Sequence, residues 1–222
     1  MQRRTRRIAL AAVLAAALAL IGALTWRAYS SQDEPREARR TAQRPTLPPL
    51  RALQGKPLCA PDANPLRGDC LPAYLANLPP HPGPAANATV AGVDSNNDGI
   101  RDDIEIFIAE NYGYSERAVR ALRAIARDVQ RDLVDPPQTS DEAVARVNAR
   151  RSIDCYVRTV DEKLRRSKDP MMDVIAETVN TPQRFELFRR KEKLLAGRVS
   201  EAPDPRLTIE ELCGYDPAKL KN

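Results

Sequence analysis

The sequence predicts an all-α fold, with a small helical bundle in its C-terminal part. From residue 102 onward, apolar residues recur at the three- and four-residue spacing that places them on one face of a helix. No stretch shows the apolar–polar alternation of a half-buried strand, and no internal repeat is evident. The helices and the loop before them cover residues 92–222, roughly 130 residues, which supports a single hydrophobic core.

The N-terminal end predicts a membrane anchor or an export signal. A basic tail, residues 1–7, carries four arginines and precedes an apolar run over residues 8–26. A run of this length is just able to span a bilayer, which needs about 20 residues. No clear Ala-x-Ala cleavage site follows, so the pattern favours an uncleaved transmembrane anchor over a signal peptide removed on export. The arginine-rich tail is expected on the cytoplasmic side.

Residues 27–91 predict a linker. They contain twelve of the nineteen prolines and little periodicity, a composition typical of extended, semi-rigid chain. Between Cys59 and Leu78, however, apolar residues recur at helical spacing. We expect this part to pack on the helical domain through Leu71, Tyr74, Leu75 and Leu78.

The four cysteines indicate disulfides, because an exported segment enters an oxidising compartment. Three pairings are open. A local bridge between Cys59 and Cys70 is the simplest, and it leaves Cys155 to pair with Cys213. A zinc site is not expected, because no Cys/His cluster has the required short spacing and the single histidine lies in the linker.

Residues 94–105 carry the most specific chemical signal. Side-chain oxygens stand at positions 1, 3, 5, 9 and 12 of this stretch, and Gly99 stands at position 6, where the chain must bend. Ca²⁺ prefers six to eight hard oxygen ligands. The predicted ligands are Asp94, Asn96, Asp98, the backbone carbonyl of Ile100, Asp102 (directly or through water) and Glu105. The alternative is a turn rich in Asn, Asp and Gly before an acidic helix N-terminus.

This stretch resembles an EF-hand-type calcium loop, D-x-[DN]-x-[DN]-G-x₅-E, at every ligand position. Two features differ: prolines in residues 79–84 exclude an entering helix, and position 8 holds Arg101 where EF-hands usually carry an apolar residue. The apolar residue is Ile100 at position 7, and this placement is more similar to the calcium loops of thrombospondin type 3 repeats. The sequence has no second such loop, so the resemblance implies a structural ion at the entrance to a helix and not a two-loop sensor.

Two helices follow directly from local signals. The first is predicted from Asp102 to Gly113, with Gly113 as the helix-ending residue. The second is capped by Ser115 and ends before the prolines at 136–137. The apolar face of the first helix comprises Ile104, Phe107, Ile108 and Tyr112, and that of the second comprises Ala118, Leu122, Ile125, Val129 and Leu133.

The remaining helices are predicted mainly from the spacing of their apolar residues. One runs from about residue 140 to 166, and its apolar stripe comprises Ile153, Val157, Val160 and Leu164. A short helix covers about 171–179. A further helix begins at Thr181-Pro182 and ends near Gly197, with Phe185, Leu187, Phe188 and Leu195 as its apolar set. The tail holds one or two more turns around residues 208–213.

The charge distribution argues against nucleic acid as a partner class. The net charge of +5 includes the four arginines of the tail, so residues 27–222 carry 31 basic against 30 acidic groups. A nucleic-acid-binding domain normally has a clear basic excess. The second helix does carry an arginine stripe, formed by Arg117, Arg120, Arg123, Arg127 and Arg131. Pairing of this stripe with nearby acids is favoured over an anion-binding ridge.

The sequence favours a binding or structural role over catalysis. The single histidine and the disulfide-prone cysteines leave no parts for a Ser/His/Asp or Cys/His arrangement. The Ala- and Arg-rich composition is typical of bacterial chains. We therefore expect a periplasmic envelope protein, anchored in the inner membrane by residues 8–26, that binds calcium and an envelope protein or polymer. The alternatives are a periplasmic hydrolase with paired carboxylates, and a binder of anionic lipid or polymer through the arginine stripe.

Overall fold

The computed structural model describes residues 50–60, 63–64, 67–167, 169–202 and 204–220. The predicted tail, the predicted anchor at residues 8–26 and the first part of the predicted linker lie outside the described residues. Within the described part of the chain, no helix combines the length and apolar character needed to cross a bilayer.

The described residues form an all-α fold, as the sequence predicts; they contain no β-strand, and Leu58 and Leu71 make an isolated bridge. The α-helices in chain order are α1 (Leu50–Leu53), α2 (Asp102–Tyr112), α3 (Glu116–Val134), α4 (Ser140–Ala149), α5 (Ser152–Thr159), α6 (Glu162–Ser167), α7 (Pro170–Thr178), α8 (Pro182–Leu195) and α9 (Ile209–Cys213). Short 3₁₀ helices cover Ala73–Leu75, Gly83–Asn87 and Pro217–Lys219.

Helix α3 lies at the centre of the bundle. It packs against α2, α5, α7 and α8, and α9 packs against α5. The apolar faces predicted for α2 and α3 form most of the core: Ile104, Ile108, Tyr112, Ala118, Leu122, Ile125, Val129 and Leu133 are all buried. Phe107 packs against this core at its edge.

The boundaries of α2 and α3 are those that the local signals predict. Gly113 is the C-cap of α2, and Ser115 caps α3 by accepting a hydrogen bond from the Ala118 N–H on its side chain. The chain leaves α3 at Asp135, directly before the two prolines.

The residues between 50 and 91 pack on the helical bundle. Leu53, Leu75 and Ala86 are buried, and Leu71, Tyr74 and Leu78 lie against the core as their spacing predicts. The Tyr74 hydroxyl donates a hydrogen bond to the carbonyl of Gly113 at 2.6 Å. Burial raises the pKa of this hydroxyl, and the nearby Glu116 carboxylate adds to the rise, so Tyr74 stays protonated and remains a donor.

The single helix predicted over residues 140–166 is wrong. The chain forms three helices instead, because it turns extended at Arg150 and again at Val160. At the first break the Arg150 guanidinium pairs with Asp132 of α3, and the Ser152 hydroxyl donates to Asp128 at 2.6 Å. These contacts draw the backbone toward α3, and a continuous helix would not allow them.

The apolar stripe predicted for this region is also wrong in part. Ile153 and Val157 are exposed, whereas Cys155 and Tyr156 are buried together with Val160. The disulfide from Cys155 to Cys213 holds this face of α5 against α9. The covalent link and the Tyr156 ring therefore determine which face of α5 turns inward.

Both disulfides have the pairing that the simplest arrangement predicts. Cys59 pairs with Cys70, with Cα atoms 4.8 Å apart, and Cys155 pairs with Cys213, with Cα atoms 5.0 Å apart. Both separations fall in the usual range for a disulfide. The first closes a local loop, and the second joins the C-terminal end of the bundle to its middle.

Helix α8 begins as the sequence predicts but buries different residues. The Thr181 side chain caps it, and Pro182 is its first residue. Leu187 and Phe188 pack against the core, but Phe185 is exposed, while Arg184 and Lys191 are buried. Two charged residues therefore occupy the inner face of α8, and both find polar partners there.

Candidate calcium-binding site

The loop that leads into α2 turns its polar side chains onto its own backbone. Asp94 accepts hydrogen bonds from the N–H groups of Asp98 (3.2 Å) and Gly99 (2.9 Å), one on each carboxylate oxygen. Asn96 Oδ1 accepts from the same Asp98 N–H at 3.1 Å. Asp98 Oδ1 accepts from the N–H of Ile100 at 2.9 Å. The oxygens at positions 1, 3 and 5 of the loop are therefore gathered on its inner side.

Two residues in left-handed conformation make the tight bend. Asn97 has φ of 56° and Gly99 has φ of 85°. Asn and Gly are the residues that adopt this conformation most readily. A Cβ on Gly99 would also lie 3.2 Å from Cγ of Arg127, so the α3 side chain covers the loop at this point.

Glu105, in the first turn of α2, completes the cluster from the other side. Its side chain is fully buried. Asn96 Nδ2 donates to Glu105 Oε2 at 3.0 Å, and the Arg123 guanidinium pairs with Oε1. Burial raises the pKa of Glu105; the Arg123 charge opposes the rise, and the Asp98 carboxylate adds to it. Asn96, at position 3, therefore bonds both the backbone N–H at position 5 and the carboxylate at position 12.

Ile100 and Asp102, the other predicted ligands, have different surroundings. The Ile100 side chain is buried in the core. Asp102 is buried as well: its Oδ1 accepts a hydrogen bond from the Ser95 N–H at 2.9 Å, and its own N–H donates to the carbonyl of Val93 at 2.9 Å. Asp102 therefore ties the start of the loop to the start of α2.

The donor set fits calcium by its chemistry. Asp94, Asp98, Asp102 and Glu105 offer carboxylate oxygens and Asn96 offers an amide oxygen, the hard ligands that Ca²⁺ prefers. Within the described residues, however, no group of three or more His, Cys, Asp or Glu side chains is placed to hold a metal ion. The carboxylates instead bind backbone N–H groups and arginines, so the six-residue ligand set stays a prediction.

The arginine stripe of α3 is largely paired with carboxylates. Arg120 pairs with Glu116, and Arg131 pairs with Asp128. Two further members reach the loop: Arg123 binds Glu105, and Arg127 donates from Nε to the carbonyl of Asp98 at 2.7 Å, with its Nη2 3.6 Å from Asp98 Oδ2. These contacts neutralise four of the five stripe arginines.

Arg101, at position 8, fastens the loop to α7. Its side chain is fully buried, and it donates to both carboxylate oxygens of Asp103, at 2.9 and 2.8 Å. Its Nη1 donates to the carbonyl of Thr178, the last residue of α7, at 2.8 Å. The sequence contains one signal for this role. EF-hand loops usually carry an apolar residue at position 8, and this loop carries Arg101 there.

Arg184 holds the chain that enters the loop. Its five hydrogen bonds go to the carbonyls of Ala86 (2.6 Å), Thr89 (2.8 Å) and Val90 (3.0 Å), and to the side-chain oxygens of Asn87 (2.8 Å) and Asn180 (2.8 Å). Burial lowers the pKa of this guanidinium, and the nearby Arg101 lowers it further. No sequence signal identifies Arg184, which reads as one of several basic residues on α8.

A surface groove of about 540 Å³ lies on another side of the bundle, at the junction of α4 and α5. Residues 200–202, Asp204 and Leu207 form its opposite wall. Its acidic lining residues are Asp154, Glu201 and Asp204. Arg206 holds the pKa of Asp204 below its usual range, the opposite of what a general acid requires.

No known protein family model, curated protein or solved structure is significantly similar to this chain.

Proposed function

We propose that this chain is a membrane-anchored periplasmic protein of the bacterial envelope, in which residues 94–105 bind a structural calcium ion and the helical domain serves as a binding or structural module. The observation that carries the calcium proposal is the contact between Asn96 and Glu105, 3.0 Å from Nδ2 to Oε2. It joins positions 3 and 12 of the loop, which lie nine residues apart. The stretch is thus closed on itself and differs from an open acidic turn.

In this proposal the ligands are the side chains of Asp94, Asn96, Asp98 and Glu105, the carbonyl of Ile100, and Asp102 directly or through water. The ion would supply the positive charge that offsets four neighbouring carboxylates. Two arginines orient the loop. Arg184 holds the entering chain at residues 86–90, and Arg101, next to the start of α2, binds the last carbonyl of α7. An ion that stiffens the loop therefore also stiffens the attachment of residues 86–90 to the bundle.

The two disulfides support export, because such bridges form and persist in oxidising compartments. The apolar segment 8–26 would then be the inner-membrane anchor or an export signal, and the domain would act in the periplasm on an envelope protein or polymer. The hydrolase alternative requires two facing carboxyls of raised pKa. Glu105 has a raised pKa, but Arg123 and Asn96 bind its two oxygens, and Asp204 in the groove has a lowered pKa. The anion-binding alternative requires free arginines on α3, and most of them are paired.

Thermal unfolding of the oxidised full-length protein in a mild detergent tests the calcium proposal. Millimolar calcium should raise the midpoint above that in chelator, since a ligand at 100 times its Kd stabilises by about 2.7 kcal/mol. Asp98→Ala should abolish the rise. Asp141→Ala, which removes a carboxylate that is 88% exposed on α4, is the matched control and should keep it. Equal midpoints in calcium and chelator for the unaltered protein would overturn the proposal.

A further inference from the structure

The side chain of Arg123 occupies one oxygen of the carboxylate that the proposed ion needs most. Glu105 is the position at which a calcium loop supplies both carboxylate oxygens, and Arg123 binds Oε1 while Asn96 binds Oε2. Glu105 has no exposed side-chain surface, whereas Arg123 is a quarter exposed. The buried carboxylate requires a positive partner, and Arg123 can supply it from the edge of the site.

The contact that Arg123 makes is incomplete. Its Nε is buried and has no hydrogen-bond partner, and a buried donor without an acceptor costs free energy. The guanidinium therefore provides Glu105 with a hydrogen-bond donor, while one of its own N–H groups lacks an acceptor. Since Arg123 is also partly exposed, its end can move into water without opening the core.

We propose that Arg123 is a built-in counter-cation of the loop, which neutralises Glu105 when calcium is absent and is displaced from Glu105 when calcium binds. This inference rests on the proposed calcium site and adds the device that sets its affinity. The two cations compete for the same oxygen, and they also repel each other. The calcium affinity is therefore reduced by the free energy needed to displace Arg123 from Glu105.

Neighbouring arginines do not share this role. Arg127 touches Asp98 mainly through the backbone carbonyl, its Nη2 is 3.6 Å from the carboxylate, and about half of its side chain is exposed. Solvent therefore screens its charge. Arg120 pairs with Glu116 on its own helix. Arg123 is the stripe member, among the described residues, that binds a fully buried predicted ligand.

Calorimetric titration of the full-length, oxidised protein with calcium tests the inference through the Kd. Arg123→Gln removes the competing charge and should tighten calcium binding about tenfold or more, the effect of a unit charge about 5 Å from a dication even in a water-like dielectric. Arg123→Lys retains a charge and should bind within about threefold of the unaltered protein. Arg120→Gln removes an arginine from the same helix without touching the loop and should leave the Kd unchanged.

The outcomes separate this inference from the calcium proposal. Calcium binding by the unaltered protein with an equal or weaker Kd in Arg123→Gln overturns the counter-cation role and leaves the ion site standing. Absence of binding in both overturns both. Binding by Arg123→Gln alone supports competition by Arg123 but overturns the calcium proposal for the unaltered protein.

A second measurement on the unaltered protein does not depend on how the variants fold. The side-chain NMR signals of Arg123, assigned by their loss in Arg123→Lys, should move toward those of a solvent-exposed arginine when calcium is added. The signals of Arg120 should stay in place. Unmoved Arg123 signals at saturating calcium would overturn the proposed displacement.

Discussion

Arg101 and Arg184 meet at Gly92. A Cβ built on Gly92 would lie 2.4 Å from Cδ of Arg101 and 3.1 Å from Nη2 of Arg184. Neither arginine is free to move away, because Arg101 is bonded to Asp103 and Thr178, and Arg184 to three carbonyls of residues 86–90. Residue 92 therefore fits beside the two arginine side chains only as glycine, which has no Cβ.

Gly92→Ala should lower the free energy of unfolding by about 3 kcal/mol, as measured by urea denaturation. Part of the loss comes from φ of 68°, at about 1–2 kcal/mol for an L-residue, and the rest from the clash with Arg101, at about 1–3 kcal/mol for overpacking. Gly197→Ala is the control: φ is 74°, but nothing lies within 4 Å of its Cβ. Its loss should be about 1 kcal/mol, and equal losses at both glycines would contradict the close approach.

Asp132→Asn should be strongly destabilising. Asp132 of α3 is 5% exposed and pairs with three cations: Arg150, Lys191, whose Nζ is 3.2 Å from Oδ2, and Arg146, whose Nη1 is 3.7 Å from Oδ1. Removing this carboxylate takes the shared partner from the largely buried Arg150 and Lys191, which typically costs about 3–5 kcal/mol, while Arg146 keeps Asp135 and Glu142. Chemical denaturation should show this loss for Asp132→Asn and about 0–1 kcal/mol for Asp135→Asn, whose side chain is 77% exposed.

The two disulfides should contribute unequally to stability. Loop entropy predicts about 4 kcal/mol for the Cys155–Cys213 bridge, which spans 58 residues, and about 3 kcal/mol for Cys59–Cys70, which spans 11. Paired Cys→Ser variants of each bridge, compared by denaturation under oxidising conditions, measure the two values. A larger loss from the shorter bridge would contradict the entropic account.

Helix α9 should lose order in acid. Its capping box hydrogen-bonds the Glu211 carboxylate to the N–H and hydroxyl of Thr208, and these bonds hold the pKa of Glu211 below its ordinary value of 4.5. A carboxyl with a lowered folded-state pKa stabilises fully above its unfolded-state pKa. That stabilisation disappears as pH falls through the folded-state value. Carbon chemical shifts of residues 209–213 between pH 6 and pH 3 should report this, and Glu211→Gln, which removes the titrating carboxyl, should remove the pH dependence.

The sequence predicts the fold wherever the signal is local. Gly113 and Ser115 stop and start helices through their own backbone and side-chain chemistry, so α2 and α3 could be delimited without knowledge of the neighbours. The breaks at Arg150 and Val160 have no such signal. The first arises from the contact between Arg150 and a residue 18 positions earlier, which only the assembled bundle brings into reach.

The candidate site shows the same division. The spacing of Asp94, Asn96, Asp98 and Glu105 could be read from the sequence, and the structure brings these residues into contact by pairs. The arginines that surround them could not be assigned in this way. Arg123 and Arg184 lie on helices that follow the loop in the chain. In the sequence, neither can be distinguished from nearby exposed arginines, because their loop contacts form only when the helices pack.

The two sulfur bridges also limit how far the chain can be drawn out. They close loops of 11 and 58 residues, which cannot extend when the chain is pulled. Together these loops correspond to about 230 Å of extended chain at roughly 3.4 Å per residue. If this chain links a membrane to another layer of the envelope, tension that unfolds the bundle would lengthen it to only about 60% of the contour that residues 50–220 would otherwise give. Reduction of the bridges would release the remainder, so the thiol state of the two cysteine pairs sets the maximum extension of residues 50–220.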